Sequence, residues 1–95
     1  MGNNFASKST HVAESQTDSA IESGESIKVF GITIEAQNGG TVLFEKYGTA
    51  DLYEKATMLG MGVMELTVPW LADVGLQVTT PAGITVTVFH SHGGA

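Results

Sequence analysis

Strict alternation of apolar and polar residues near the C-terminus constrains this chain more than any other feature. From Ile84 to Val88, aliphatic residues alternate with threonines, and the run from Leu76 to Thr80 alternates in the same way. A period of two places the aliphatic side chains on one face of a β-strand. The intervening Pro81-Ala82-Gly83 is typical of a three-residue turn. The stretch from Val74 to His92 is therefore predicted to form two strands joined by a tight turn.

The register of these two strands follows from the same pattern. A two-residue loop would place Val78 opposite Thr85, an apolar residue against a polar one. With all three turn residues in the loop, Val78 faces Val86 and Leu76 faces Val88. Only this second register gives one continuous apolar face. The sequence thus predicts an antiparallel hairpin.

Four further segments before this hairpin have the composition or alternation of strands. They are Ile27–Glu35, Thr41–Tyr47, Leu52–Thr57 and Met64–Val68. The first is apolar on both faces, which predicts a central strand or one with a face at an interface. Asn38-Gly39-Gly40 predicts a second hairpin that pairs Ile34 with Phe44. The segment Leu52–Thr57 is also acceptable as a helical turn, but its strand-rich context favours a strand.

The segment between the fourth predicted further strand and the C-terminal hairpin contains a predicted helical turn and the single tryptophan. Pro69–Asp73 is expected to form one helical turn, with Pro at its first position and Gly75 just past its end. Trp70 is expected to fill the open end of the sheets. The predicted fold is all-β, a small antiparallel β-sandwich or barrel of about six strands over residues 27–95. A core of this size is marginal alone, which favours a homo-oligomer.

Residues 1–26 differ in composition from the rest. This stretch contains six Ser, two Thr and four acidic residues, and its large apolar residues beyond Met1 are Phe5, Val12 and Ile21. Such a segment cannot bury enough apolar surface to offset its ordering entropy. Alone it is predicted to be flexible, either as a mobile tail, which is common for such composition, or as an extended N-terminal arm that acquires structure against a partner.

The overall composition argues against several functions. The net charge is −6, from four Lys, no Arg and ten acidic residues, which disfavours nucleic-acid binding. No apolar run approaches the roughly 18 residues of a membrane-spanning helix, and the N-terminus lacks the order of a signal peptide. Cysteine is absent, so thiolate chemistry is impossible. No membrane partner and no cofactor are expected.

The candidate chemical groups are few. His90 and His92 lie two apart on a strand and could share a metal ion, but they are more often residues at the end of a core strand. No Ser-His-Asp arrangement and no phosphate-binding loop is visible, so no catalytic residue is predicted. The Gly-rich segment Met58–Val63 carries apolar side chains, which indicates either burial or contact with a partner. The candidate partner-binding residues are Phe5, Val12, Ile21, Met58 and Met61.

The segment from Ile27 onward resembles small structural proteins of tailed bacteriophages, especially capsid decoration (cement) proteins and similar head-associated proteins. The resemblance is carried by Ile27–Ile34, by Val68–Asp73 and by Ile84–His92. It implies a β-rich protein that forms trimers at capsid three-fold sites and grips neighbouring coat subunits with an extended arm. It also implies that the chain has no catalytic residues.

Three functions follow as hypotheses. The first is a non-enzymatic virion protein that binds the major capsid protein as a trimer, on the capsid surface, after assembly in the host cytoplasm. The second is a receptor- or carbohydrate-binding sandwich of a phage tail or surface, with Trp70 or Tyr53 exposed as a platform. The third is a small metal-dependent enzyme built on His90 and His92.

Overall fold

A computed structural model describes residues 8–92 of the chain. Within this range the chain forms eight β-strands and no helix. The strands are β1 (Lys8–Val12), β2 (Ser19–Ile21), β3 (Ile27–Ala36), β4 (Gly40–Lys46), β5 (Leu52–Met58), β6 (Gly62–Ala72), β7 (Leu76–Thr79) and β8 (Ile84–His90). The predicted all-β class is confirmed, with eight strands where the sequence predicted about six.

The strands form two antiparallel sheets of four strands each, packed as a sandwich. One sheet has the order β1-β8-β3-β6 and the other has the order β2-β7-β4-β5. The first strand therefore lies beside the last, the second beside the seventh, the third beside the sixth and the fourth beside the fifth. This is the order produced when one long hairpin is rolled into two sheets, and it is the order of a jelly roll. Of the two predicted architectures, the described residues adopt the sandwich.

The core lies between the sheets and takes alternate residues from the strands. Phe44 on β4 is its largest fully buried side chain. The alternating residues of β7 and β8, from Leu76 to Thr80 and from Ile84 to Val88, point inward as their pattern predicts. Buried apolar area at roughly 25 cal/mol per Å² is the main force that holds the two sheets together.

Strand β3 changes the parity of its inward residues at a β-bulge between Val29 and Gly31. Val29 is buried before the bulge and Ile32 is buried after it, while the extra residue Phe30 stays 42% exposed. The bulge explains why apolar residues occupy both faces of this segment in the sequence. β3 lies between β8 and β6, which confirms the predicted central strand.

The predicted C-terminal hairpin is wrong in its pairing. β7 and β8 belong to different sheets, so Val78 lies opposite Phe44 and Val86 lies opposite Ile34. The segment between β7 and β8 crosses from one sheet to the other. Both strands still turn their apolar residues inward, because alternation fixes the buried face of a strand and not the identity of its neighbour.

The hairpin predicted at Asn38-Gly39-Gly40 is wrong for the same reason, since β3 and β4 also lie in different sheets. This crossing segment packs on the one between β7 and β8. The Asn38 Nδ2 group donates a hydrogen bond of 3.1 Å to the carbonyl of Ala82, and a Cβ at Gly40 would lie 2.8 Å from the Pro81 ring. Within the described range, β4 and β5 are the consecutive strands that pair directly.

The extended arm predicted for residues 1–26 is wrong where the structure describes the chain. β1 pairs with β8 and β2 pairs with β7. Val12 and Ile21 are 2% and 1% exposed, and Lys8 Nζ lies 2.6 Å from a carboxylate oxygen of Glu22. The sparse apolar residues of this stretch are core residues, and existing sheet edges satisfy its backbone groups. Residues 1–7, which include Phe5, lie outside the described residues.

The helical turn predicted at Pro69–Asp73 is also wrong, because β6 continues to Ala72. Pro69 is tolerated since β6 is an edge strand, where a missing N–H removes no hydrogen bond within the sheet. Gly75 follows with a positive φ of 96° and lies in the connection to β7. The preference for a strand at Leu52–Thr57 is confirmed by β5.

Candidate interaction surface

Four connections gather at one end of the sandwich, because successive strands run up and down and every second connection therefore lies at the same end. They are residues 13–18, 37–39, 59–61 and 80–83, and together they are called the loop end. Hydrogen bonds fix most of them to one another. The Thr80 amide donates to the Gln16 carbonyl at 2.8 Å, and the Gly83 amide donates to the Glu14 carboxylate at 2.6 Å.

The connection between β5 and β6 is the apolar part of the loop end. Leu59 is 97% exposed, Met61 is 83% exposed and Val63, at the start of β6, is 63% exposed. Met58 turns inward as the last residue of β5, so Leu59 is turned outward by strand alternation. Three large apolar side chains in five residues form one contiguous exposed segment, and such patches mark contact sites.

An open groove of about 380 Å³ adjoins this segment. Apolar and acidic side chains line it together, among them Met61, Val63, Glu14 and Glu35. The groove is shallow, so it fits a protruding side chain of a partner better than an enclosed small molecule.

The lysines of the described residues are distributed unevenly between the two ends of the sandwich, whereas acidic residues lie at both ends. Glu14, Asp18 and Glu35 lie at or beside the loop end. Three of the lysines, Lys8, Lys28 and Lys46, lie at the opposite end, at the start of β1, the start of β3 and the end of β4. The fourth, Lys55, lies within β5. The loop end therefore presents apolar and acidic groups together.

The structure separates the residues predicted to contact a partner. Val12, Ile21 and Met58 are buried in this chain's own core, and only Met61 is exposed. Phe5 lies outside the described residues. Leu59 and Val63, which the sequence analysis did not select, are exposed beside Met61. The sequence feature that could have identified them is the alternation of β5 continued past Met58, which places Leu59, Met61 and Val63 on the outward face. The glycines at positions 60 and 62 obscured this pattern.

His90 is a core residue with both ring nitrogens engaged. It is fully buried, with Nε2 2.8 Å from Thr10 Oγ1 and Nδ1 2.7 Å from the Ser91 carbonyl. A carbonyl can only accept, so the Nδ1–H group donates to it, while Nε2 lies at hydrogen-bond distance from the Thr10 hydroxyl. His92 is exposed outside β8. In residues 8–92 no group of three or more His, Asp or Glu side chains is placed to hold a metal ion.

Trp70 closes the side of the sandwich between β5 and β6. It is half-buried, with its ring centroid 5.6 Å from that of Phe44 and 5.4 Å from that of Tyr53, on which it stacks at 20°. Trp70 therefore packs against the core as predicted, but it lies at the side of the sandwich and is only partly buried, where the sequence predicted it to fill the open end of the sheets. Because Tyr53 covers one face of the indole, Trp70 is not a free platform for a ligand.

Tyr53 should show this packing in its titration. Burial raises the pKa of the Tyr53 phenol, and the nearby Asp73 carboxylate raises that pKa further. The neutral phenol therefore stabilises the fold fully below the ordinary tyrosine pKa of about 10, and this stabilisation is lost as pH rises through the higher folded pKa. Raising the pH from 8 to 11 should therefore lower the thermal unfolding temperature of the native chain more than that of the Tyr53→Phe variant. Equal pH profiles for the two proteins would contradict this assignment.

Comparison with known proteins gives one structural likeness. The chain is similar to the coat protein of Tobacco streak virus, with 11% sequence identity and a TM-score of 0.38, over 98% of this chain and 89% of that chain. No protein-family model and no curated protein matches the sequence. In the part of the chain that the structure describes, no helix is long and apolar enough to cross a membrane.

Proposed function

We propose that this chain is a non-enzymatic structural protein of a virus particle. In this proposal it is a decoration (cement) protein that binds the major capsid protein on the outer surface of the shell, after assembly in the host cytoplasm. The observation that carries the proposal is the loop end, where Leu59, Met61 and Val63 are exposed together on a scaffold braced by hydrogen bonds. The sequence resemblance to head-associated phage proteins agrees with it. Jelly rolls also occur in lectins and cupins, so the fold alone does not select the function.

The loop end can bind a partner through burial of apolar surface alone. Burying a large apolar side chain contributes about 1.5–3 kcal/mol, so Leu59 and Met61 together can contribute roughly 3–6 kcal/mol of gross binding energy. The acidic groups beside them favour a coat surface that is apolar at its centre and basic at its rim. Because exposed charges are screened by salt, binding should weaken modestly as ionic strength rises.

The predicted arm keeps a smaller part in this proposal. Residues 8–12 and 19–21 are strands of the sandwich, so they are not available to cross the shell. Any arm contact therefore falls to residues 1–7, with Phe5 as its large apolar anchor besides Met1. We propose that the folded domain, through the loop end, makes the main contact, and that several copies acting together increase the avidity.

Replacing Leu59 and Met61 by Ser tests the docking surface. Each loss of at least about 1.4 kcal/mol weakens binding tenfold, so the double variant should bind capsid shells roughly 100-fold more weakly. The measurement is co-sedimentation of the purified protein with shells of the encoding virus prepared without it. Unfolding temperatures should not fall, because both side chains are exposed.

A matched control uses the opposite end of the sandwich. Leu52 and Leu71 are 49% and 65% exposed, so their double replacement by Ser removes similar surface away from the loop end. This variant should bind shells as the native chain does. Equal losses for the two double variants, or no loss for either, would refute docking through the loop end.

A further inference from the structure

Two strands lie at opposite edges of the same sheet, with backbone groups that no other strand within residues 8–92 pairs. The sheet order β1-β8-β3-β6 places β1 at one edge and β6 at the other. Each edge presents a row of N–H and C=O groups to which another strand can hydrogen-bond. The side chains along each row determine what kind of strand fits.

The outward groups on β6 follow from one hydrogen bond at the end of β3. The Gln37 amide donates to the Gly83 carbonyl at 2.9 Å, so Gln37 faces β8. Backbone direction alternates along an antiparallel strand, and therefore Ala36, Ile34 and Ile32 face β6. Their partners on β6 are Gly62, Met64 and Leu66. The backbone groups of Val63, Glu65 and Thr67 consequently point away from the sheet.

The same alternation assigns the outward groups on β1. Since Gly83 faces β3, the even-numbered residues of β8, such as Val86 and Val88, face β1. Their partners are Val12 and Thr10, so the backbone groups of Ser9 and His11 point outward. The His11 ring makes only a long contact of 3.4 Å with Thr87 Oγ1, which leaves the imidazole able to meet another group.

The other sheet offers poorer edges. β2 has three residues, and β5 carries both Glu54 and Lys55 at exposed positions. Short and charged edges are the usual protection against pairing. β6, by contrast, has eleven residues and one charged side chain, Glu65. Its free row ends at Pro69, which has no N–H to donate.

Pairing of β6 with a second β6 is disfavoured by charge. Matching the three outward residues across a two-fold axis places Glu65 directly opposite Glu65 of the other copy. Like charges directly opposite each other destabilise a strand pair. β1 differs, because its described residues Lys8 to Val12 include a lysine and a histidine but no acid.

We infer that copies of this chain assemble head to tail, with β1 of one copy pairing antiparallel to β6 of the next. One register satisfies both rows: Ser9 lies opposite Thr67 of the next copy, and His11 lies opposite Glu65. In that register the inward residues Val12 and Thr10 lie beside Met64 and Leu66, which are half-buried within one copy. A shift by one residue would turn the apolar side chains of one strand to the wrong face.

This pairing has a geometric consequence. Within one copy β1 and β6 run in opposite directions, since three antiparallel steps separate them. Antiparallel pairing between copies therefore keeps every copy in the same orientation. A head-to-tail contact closes into a ring when its rotation permits, and all loop ends then face the same side. The inference stands on the strand edges alone and does not depend on the proposed capsid docking.

The absence of cysteine allows a direct test with single-cysteine variants. His11→Cys and Glu65→Cys are each purified, then mixed and treated with a short bis-maleimide crosslinker. The mixture should give at least tenfold more crosslinked dimer than either variant alone, because each contact joins position 11 to position 65. Lys55→Cys on β5 serves as the control and should give none with either partner. Equal yields from single variants, or no yield from the mixture, would overturn the head-to-tail contact.

Two further measurements complete the test: the mass of the assembly in solution, and the effect of exchanging the charges at positions 11 and 65. Light scattering of the full chain at high micromolar concentration should give a multiple of 9.9 kDa. Glu65→Lys should raise the dissociation constant about tenfold, and adding His11→Glu should restore most of it. A chain that stays monomeric at that concentration, or a double variant that is weaker than Glu65→Lys alone, would overturn the inference.

Discussion

Removal of residues 1–21 is expected to unfold the domain. The deletion takes away β1 and β2, and with them the buried side chains of Val12 and Ile21. Burial of these two side chains contributes roughly 3–6 kcal/mol. Most small domains have only about 5–15 kcal/mol of total stability. The deletion also uncovers the edges of β8 and β7, which are both apolar on the inward face. Circular dichroism and the amide dispersion of an NMR spectrum should show loss of the folded state.

The control for this deletion is removal of residues 2–7, which leaves all eight described strands in place. This shorter deletion should retain a cooperative unfolding transition close to that of the native chain. A chain that begins at residue 22 and still gives a dispersed spectrum would show that the first two strands are dispensable. That outcome would restore the interpretation of this stretch as an arm.

Gly75→Ala is expected to destabilise the domain by about 3 kcal/mol or more. Gly75 has a φ of 96°, a conformation that costs other residues roughly 1–2 kcal/mol. A Cβ at this position would also overlap the backbone carbonyl of Glu22 in the connection between β2 and β3. Backbone cannot move aside as a side chain can, so the steric cost adds to the conformational one. Chemical denaturation should show the lower midpoint.

Gly48→Ala separates the two costs. Gly48 has a similar φ of 80°, but a Cβ there would have no atom within 4 Å. This variant should lose only about 1–2 kcal/mol, which is the conformational cost alone. If Gly48→Ala and Gly75→Ala lose equal stability, the contact between Gly75 and the Glu22 backbone has no energetic weight.

The two proposed surfaces are compatible with each other. The side chains of Leu59 and Met61 at the loop end are distinct from the residues that pair β1 with β6, so one copy can contact its neighbours and a shell together. If copies pair head to tail, the Leu59 and Met61 side chains of all copies lie on one side of the assembly. Several modest contacts then act as one strong attachment. Serine substitution at the loop end should therefore leave the oligomer mass unchanged.

Much of the fold was readable from alternation. The segments around β3, β4, β5, β7 and β8 were predicted as strands, and the inward faces of β7 and β8 were predicted correctly. The bulge in β3 was visible only as apolar residues on both faces. β6 was predicted in part, because Pro69 is a helix-start signal in isolation and an edge-strand residue in this sheet.

Strand partners were the part that sequence reasoning missed. The two predicted hairpins satisfied every local rule for turn residues and register, yet their strands face each other across the core. The first two strands were missed because β1 and β2 each contribute one large apolar residue to the core, Val12 and Ile21. The polar composition of this stretch reflects the exposed faces of β1 and β2. It contains no information about the edges of β8 and β7, with which these strands pair.

The sequence by itself determined most of the strands between residues 27 and 90 and the buried faces of β7 and β8, because side-chain direction alternates with every residue whatever the neighbour. Only the tertiary structure decided which strands pair, that residues 8–21 belong to the domain, and that Leu59 and Met61 are exposed together at one end. The physical reason is that pairing depends on backbone groups that every residue carries. The choice between a neighbour in the same sheet and one across the core is made by closure of the whole sandwich.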